Sequence, residues 1–174
     1  EVVVHGIPST RELKEGDIVS IDCGVFKNGY HADSAYTYMV GDVNPLTKKL
    51  LSDTKKSLFE GIAQVKPGNR IGDISYGVQS FTEGLGYGVV RELVGHGVGY
   101  EVHEDPAVPN YGRANSGLVL EPGMVLAIEP MLNRGKFGVY FANDGWTVKT
   151  ADHSRSAHFE HTIAITLQGP KILT

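Results

Sequence analysis

Residues 16–40, GDIVSIDCGVFKNGYHADSAYTYMV, are the stretch that decides the fold of this chain. Two runs rich in β-branched and aromatic residues flank Asn28-Gly29, a strong short-range signal for a β-hairpin with a two-residue turn. Such a turn places Asp22 opposite Ala35. Because side chains alternate along a strand, Asp33 then lies on the same face as Asp22, about 7–8 Å away.

Two carboxylates on one face of a hairpin admit two interpretations. Bare carboxylates repel each other and resist removal from water, so the face is either solvated or carries a cation that both aspartates share. The spacing alone does not decide between these alternatives.

The remaining periodicity predicts two helices and five further strands. Apolar positions from Leu46 to Val65 indicate one amphipathic helix over 45–66, ended by Pro67-Gly68, and apolar positions from Ile71 to Leu85 indicate a second over 71–85. Strand-like segments are predicted at 88–94, 124–129, 138–142, 146–150 and 159–166. Strands, two helices and then more strands are typical of an α+β fold rather than of alternating βαβ units.

Composition excludes several classes of protein. The chain has 174 residues and a net charge of −4 without a basic block, so we expect no nucleic-acid partner. No apolar run is long enough to span a membrane. Cys23 is the only cysteine, which excludes an internal disulfide and favours a reducing compartment, and we expect the cytoplasm.

A seven-residue echo links two distant parts of the chain. GDIVSID at 16–22 and GMVLAIE at 123–129 share a glycine, two apolar residues, a small residue, an isoleucine and a terminal acid. The echo is either a chance match or the trace of a duplication in which each half contributes a strand that ends in a carboxylate.

Three more side chains could join the two aspartates. Glu129 ends an apolar strand, Glu160 precedes another, and His96 lies in the glycine-rich stretch GHGVG at 95–99. Four carboxylates match the charge of two divalent cations, and one nitrogen among many oxygens suits Mn, Fe, Co or Zn better than Mg or Ca. Two such ions would activate water and bind an oxyanion.

Six motifs, in order, resemble those of the type I methionine aminopeptidases. They are HGIP (5–8), DIVSID to HAD (17–33), GHGVGYEVHEDP (95–106), LEPGMVLAIEPM (120–131), NDGWTVKT (143–150) and FEHT (159–162). The resemblance spans almost the whole chain. It implies a pita-bread fold, with two pseudo-symmetric halves around a dinuclear metal centre, and removal of the initiator methionine from nascent proteins.

The resemblance also assigns roles to individual residues. It implies that Asp22 binds one metal ion and that His96 and Glu129 bind the other. Asp33 and Glu160 would bridge the two ions. Glu129 would also accept a proton from the attacking water. It implies that the ions are Co, Mn, Fe, Ni or Zn. On the same motifs, the glycines around His96 are interpreted as a tight turn that lets His96 reach a metal ion while a substrate passes close by. Three further assignments concern the substrate: His103 stabilises the tetrahedral intermediate, His5 contacts substrate and moves protons, and Trp146 lies beside the active site.

Residue type alone gives plainer interpretations of the same positions. His5 and His103 would be partly buried structural histidines, and Trp146 a core residue. We expect His161 to be structural or to lie around the site. The three other histidines, His31, His153 and His158, are expected either to lie around the site or to be exposed to solvent. Cys23, next to Asp22, is expected to point to the opposite face and to be structural.

Two departures from the family pattern concern the substrate pocket. Val4 stands where a cysteine often precedes HGIP, and Val102 where a phenylalanine often precedes HE, so both substitutions would widen or soften the pocket for the first side chain. The segment that precedes HGIP in the family is not in this sequence. We therefore expect residues 1–174 to form a single catalytic domain that is truncated at its N-terminus.

Other functions remain open on the sequence. Proline-directed peptidases share the fold and the five metal ligands, but NDGWTVKT and FEHT favour the aminopeptidase. A non-catalytic pita-bread binding module would usually lack ligands that are all present here, and an inactive fragment of an enzyme is a further alternative. For the aminopeptidase, the expected partner is the N-terminal methionine of a nascent peptide, with ribosome association and a monomeric state.

Overall fold

The computed structural model describes residues 1–174 and contains two helices and fifteen strands. The helices are α1 (Pro45–Ile62) and α2 (Ile71–Glu83). The strands are β1 (Val2–Val4), β2 (Ile18–Asp22), β3 (Val25–Lys27), β4 (Tyr30–Ala32), β5 (Ala35–Met39), β6 (Gly88–Val89), β7 (Gly95–Gly97), β8 (Glu104–Val108), β9 (Val125–Ile128), β10 (Met131–Asn133), β11 (Val139–Phe141), β12 (Val148–Thr150), β13 (Ser156–His158), β14 (His161–Thr166) and β15 (Gly169–Ile172).

Both predicted helices are present, with starts set by local chemistry. The Asn44 side chain caps α1 by accepting a hydrogen bond from the backbone N–H of Thr47 at 2.9 Å, and Pro45 occupies the first turn, where its missing N–H costs nothing. In α2, Asp73 accepts a hydrogen bond from the backbone N–H of Arg70 at 2.7 Å. α1 ends before the predicted position, at Ile62, because the following residues form turns.

Antiparallel pairing organises the strands. The largest sheet has five strands in the order β15-β14-β9-β7-β8, and two three-stranded sheets have the orders β1-β12-β11 and β13-β10-β6. The hairpin region forms two two-stranded sheets, β2-β5 and β3-β4. The mixture of antiparallel sheets and two helices confirms the predicted α+β class.

The register predicted for the hairpin is confirmed. Asp22 pairs with Ala35 at the end of the β2–β5 ladder, and Lys27 pairs with Tyr30 around the Asn28-Gly29 turn. The ladder is interrupted only at residues 23–24 and 33–34, where the N–H of Cys23 still donates to the carbonyl of Ser34. Asp33 lies in this interruption, where its backbone N–H donates to the Thr162 hydroxyl at 2.8 Å.

A second ladder repeats this construction in the other half of the chain. The pair β9–β14 ends with Ile128 opposite His161, and the pair β10–β13 resumes in the same register with Met131 opposite His158. The interruption contains Glu129 and Glu160. Each half therefore places carboxylates where an antiparallel ladder is broken.

The two copies of the echo enter these ladders in the same way. Gly16 and Gly123 both have positive φ angles, 89° and 100°, which favour glycine. Gly16 donates to the carbonyl of Val40, and Gly123 donates to the carbonyl of Ile165, each at 2.9 Å. The echo thus corresponds to equivalent positions in two pseudo-symmetric halves.

The core joins the helices to the largest sheet. Its 17 buried hydrophobic residues include Leu50 and Leu58 of α1, Ile74 of α2, and Leu126 and Ile128 of β9. Two predicted apolar positions are wrong, since Leu46 is 54% exposed and Leu85 is 42% exposed. Neither helix combines the length and the apolar character needed to cross a bilayer.

Several strands are shorter than predicted, and others went unpredicted. The expected strand 88–94 is reduced to β6, and the segment 146–150 begins its strand only at Val148. Strands β7, β8, β10, β13 and β15 were not predicted. Most of these have three to five residues, too few to display the alternation from which a strand is read.

Candidate metal centre

A polar cavity of about 280 Å³ opens where the two interrupted ladders meet. It gathers residues from the N-terminal strand, both ladders and the segment around β7. Its lining consists of Val4, His5, Asp22, Asp33, Glu92, Leu93, Val94, His96, His103, Glu129 and Glu160. Seven of these eleven residues belong to the predicted site. Trp146 is the one predicted site residue that does not line the cavity.

The four predicted carboxylates and His96 lie within reach of shared ions. Oxygens of Asp22, Asp33 and Glu160 lie within 4.8 Å of one another, and so do ligand atoms of His96, Glu129 and Glu160. Glu160 belongs to both of these groups, and Asp33 also forms a third group with His96 and His103. The Glu160 backbone N–H donates to the carbonyl of Ala35 at 2.9 Å, which fixes one ladder against the other.

Two carboxyl groups of this cluster, those of Glu160 and Asp22, have raised pKa values. Burial, together with the charges of Glu129, Asp33 and Asp22, raises the pKa of Glu160 to about 10. Asp22 is on the exposed side of the cluster, yet partial burial of its carboxyl group raises its pKa. The nearby charge of His158 opposes that rise, whereas Asp33 and Glu129 add to it.

The residues present fit divalent cations. Oε1 of Glu160 is buried without a hydrogen-bond partner, although a buried polar atom normally has one. Four carboxylates in one cavity repel one another unless positive charge is supplied, and a set of oxygen donors with an imidazole nitrogen is a common ligand set for transition metals. The site can therefore hold metal ions, and its unsatisfied groups are explained if it does.

The glycines around His96 do not form the predicted tight turn. Gly95–Gly97 is strand β7, which lies between β8 and β9 in the largest sheet. A Cβ on Gly95 would collide with the carbonyl oxygen of Ala127, and one on Gly97 with that of Asp105. The glycines thus permit close backbone approach, which buries His96 while its Nδ1 contacts the carbonyl of Gly97 at 2.9 Å.

His103 and His5 line the cavity, whereas Trp146 lies at its edge. The ring of His103 is 4.3 Å from that of His96 between centroids, and the residue is exposed rather than partly buried. His5 has a left-handed backbone conformation, with φ 59°, and its ring stacks on that of Trp146. The alternative that Trp146 is a core residue is wrong, because it is 56% exposed.

His158 has a position more specific than the sequence indicated. It is 1% exposed, and its Nε2 lies 3.2 Å from Oε2 of Glu129. The possibility of solvent exposure is therefore wrong. A usable signal was present, because alternation places His158 on the same strand face as Glu160, two residues later. Glu92, which lines the cavity, had no comparable signal.

The remaining histidines and Cys23 do not line the cavity. His153 is exposed and contacts Glu1, His31 contacts the carbonyl of Tyr100, and His161 is half-buried near Thr174. Cys23 is exposed and therefore does not contribute to the core. Of the two departures from the family pattern, Val4 lines the cavity and Val102 does not.

Comparison with known proteins agrees with this geometry. Residues 1–167 match the model of metallopeptidase family M24. The chain is 55% identical to methionine aminopeptidase 1 of Bacillus subtilis over 174 residues, which are the whole chain and 70% of that protein.

Solved structures show the same relationship. A methionine aminopeptidase from Thermotoga maritima superposes with a TM-score of 0.98 at 50% identity, over the whole chain and 70% of that structure. The prolidase of Pyrococcus horikoshii has a TM-score of 0.78 at 30% identity, over 99% of this chain and 44% of the prolidase. These matches confirm the predicted pita-bread fold, and the chain belongs to metallopeptidase family M24, whose members are metal-dependent hydrolases.

Proposed function

We propose that this chain is a methionine aminopeptidase, which hydrolyses the peptide bond that follows the N-terminal methionine of nascent proteins. The observation that carries the proposal is one cavity lined at once by the four clustered carboxylates, His96, His103 and His5. Identity of about half the residues to proteins named methionine aminopeptidase supports this substrate rather than a proline-containing dipeptide.

Five residues would hold two divalent cations. Asp22 would bind one ion, His96 and Glu129 the other, and Asp33 and Glu160 would be shared. The overlap of the two groups at Glu160 supports this division. Cobalt, manganese, iron, nickel and zinc all accept this mixture of donors. When bound, such a pair supplies Lewis acidity at the scissile carbonyl and lowers the pKa of the attacking water.

The protein would supply proton transfer and hydrogen bonding. Glu129 would accept a proton from the attacking water and return it to the leaving amine, since its carboxylate lies in the cavity beside His96. His103, exposed to the cavity, would donate a hydrogen bond to the oxyanion of the tetrahedral intermediate. His5 would contact the substrate and assist proton transfer at the rim.

The walls of the cavity bear on substrate choice. Trp146 would cover one side of the bound peptide through its stacked partner His5. Val4 presents an apolar, branched surface to the cavity at the position where the family often has a cysteine. We infer that selectivity for methionine as the first side chain is weaker in this chain than the family pattern implies, whereas the metal ligands are all retained.

We further propose that residues 1–174 act as a single catalytic domain. The main core cluster includes residues of both helices and of β6, β8, β9, β10, β13 and β14, which supports this unity. We infer a monomeric enzyme from the family resemblance, and from the nascent-chain substrate we infer that it works in the cytoplasm and associates with ribosomes. Sedimentation of the purified protein, alone and with ribosomes, tests both the monomeric state and the association.

The deciding experiment measures methionine released from Met-Ala-Ser by metal-free protein and by protein given Mn, Fe or Co. An Ala-Pro peptide is the matched control. Metal-dependent cleavage of Met-Ala-Ser alone supports the proposal. Cleavage of the Ala-Pro peptide alone would replace it with a proline-directed activity. Absence of both activities in folded, metal-loaded protein would refute catalysis by this chain.

A further inference from the structure

Glu129 has two oxygens with different surroundings. Its Oε1 lies 3.6 Å from Nε2 of His96, on the side of the cavity, and its Oε2 lies 3.2 Å from Nε2 of His158. An ionised carboxylate only accepts hydrogen bonds, so a nitrogen this close to it is suited to carry the hydrogen. The two histidines therefore contact opposite oxygens of one carboxylate.

His158 is held rigidly by its backbone. Strand β13 pairs it with Met131 of β10, and its backbone N–H donates to the Thr37 hydroxyl at 2.9 Å. The Thr37 hydroxyl also lies 2.8 Å from the carbonyl of His158. Since the residue is 1% exposed, its ring has no access to bulk water.

The imidazole of His158 has no other polar partner. Neither Nδ1 nor Nε2 makes a hydrogen bond of regular geometry, and both atoms are buried. A buried imidazole without partners is costly, because each unsatisfied polar atom loses its hydration. Only the contact between Nε2 and Oε2 of Glu129 offers compensation, so this nitrogen is aimed at the metal centre rather than at the core.

We propose that His158 is a positioning residue that fixes the orientation of the Glu129 carboxylate. By engaging Oε2, it leaves Oε1 directed toward His96 and the cavity, where a ligand oxygen is required. Hydrogen bonds from such outer partners to ligating carboxylates commonly change metal affinity or activity by about 10- to 100-fold. This inference rests on the function proposed above for Glu129, but it concerns a different residue and a different contact.

Two amide substitutions separate hydrogen bonding from packing. His158→Gln places its amide nitrogen near the position of Nε2, whereas His158→Asn reaches only the position of Nδ1. Both are neutral and polar, and neither can replace the ring fully. His153→Gln is the control, because His153 is exposed and contacts Glu1 far from the cavity lining. Thermal unfolding of each variant identifies any general loss of structure.

Three measurements test the inference on the full chain. Calorimetric titration with Mn gives metal affinity, the visible spectrum of the Co-loaded protein reports ligand arrangement, and Met-Ala-Ser hydrolysis separates kcat from KM. We expect His158→Asn to weaken Mn binding about 10- to 100-fold, alter the Co spectrum and lower kcat more than KM. His158→Gln should restore most of all three properties.

The outcomes distinguish this inference from the proposed function. If His158→Asn weakens Mn binding and His158→Gln restores it while the parent releases no methionine, positioning stands and the aminopeptidase proposal fails. If the parent releases methionine and both variants match it in affinity and spectrum, the positioning role is refuted. Equal losses in both variants that track their unfolding temperatures would likewise refute it, since that pattern indicates packing alone.

Discussion

The imidazole of His5 stacks on the indole of Trp146, with ring centroids 4.5 Å apart and ring planes inclined by 15°. The stack follows from the pairing of β1 with β12, which brings the segment that contains His5 beside the segment that contains Trp146. It leaves one face of Trp146 available to a peptide, since the residue remains 56% exposed.

Trp146→Ala should therefore impair catalysis more than stability. A peptide packed on the free face of Trp146 would gain an energy comparable to that of an aromatic pair, about 0.5–1.5 kcal/mol, so we expect kcat/KM for Met-Ala-Ser to fall roughly 2- to 10-fold. Steady-state kinetics and urea unfolding measure the two effects. Tyr76→Ala removes an equally exposed aromatic residue from α2 and serves as the control. Unchanged kinetics in Trp146→Ala would remove this residue from the substrate site.

Divalent ions should stabilise the folded chain, because they relieve repulsion among the clustered carboxylates. An ion that binds only the folded state, at 100 times its dissociation constant, adds about 2.7 kcal/mol. We expect Mn to raise the unfolding temperature and EDTA to reverse the change. Glu160→Gln, which replaces a buried carboxyl group by its neutral isostere, should retain the metal-free stability and lose most of the Mn response. An identical response in this variant would exclude Glu160 as a shared ligand.

His96→Ala tests the division of ligands at the metal centre. Removing the only imidazole of the proposed ligand set should lower the bound metal toward one ion per chain, because the remaining carboxylates still form the group of Asp22, Asp33 and Glu160. Elemental analysis after dialysis measures the ratio, and far-ultraviolet circular dichroism checks folding. His153→Ala should keep the parent ratio. A folded His96→Ala variant with unchanged metal content would contradict the assignment.

Gly97→Ala should destabilise the fold, because an added Cβ would collide with the backbone of β8. Overpacking of this kind costs about 1–3 kcal/mol, measured here as a lower urea midpoint. Gly84→Ala is a suitable control, since Gly84 has φ −64° and no neighbouring atom within 4 Å of the added Cβ. Equal midpoints for the two variants would show that β8 shifts freely.

Asp152 should contribute stability that is lost in acid. Hydrogen bonds from the backbone of Lys136 and from Ser154 lower the pKa of Asp152 to about 2, below its ordinary value of 3.8. The contribution is thus complete above the ordinary pKa and disappears as pH falls through the folded value. Asp152→Asn should be less stable than the parent at pH 7, and the difference should shrink as the pH falls from about 4 toward about 2.

Urea unfolding of both proteins at several pH values measures that difference. Asp42→Asn is the control, because Asp42 contacts only the exposed side chain of Lys48. A difference that stays constant down to pH 3 would show that Asp152 acts through packing rather than through its charge.

The sequence by itself determined features that depend on near neighbours along the chain. The Asn28-Gly29 turn fixes the hairpin register, so the pairing of Asp22 with Ala35 was predictable from turn length and alternation alone. The apolar spacing likewise predicts the start of α1 at residue 45, and the structure shows that Asn44 caps it. The echo indicates two equivalent strands, because both copies have a glycine before an apolar run. In the structure both glycines have positive φ and precede a strand of one of the two ladders.

Only the tertiary structure decided what surrounds each of these elements. The role of Gly95 and Gly97 depends on carbonyl groups contributed by β8 and β9, and no local pattern marks such an approach. His158 could be placed on a strand face, but its burial beside Glu129 requires the docking of the two ladders. Leu46 and Trp146 are more than half exposed because distant segments do not fully cover their side chains. Burial and side-chain contacts arise between segments far apart in the chain, so their energies are not encoded in any single stretch of it.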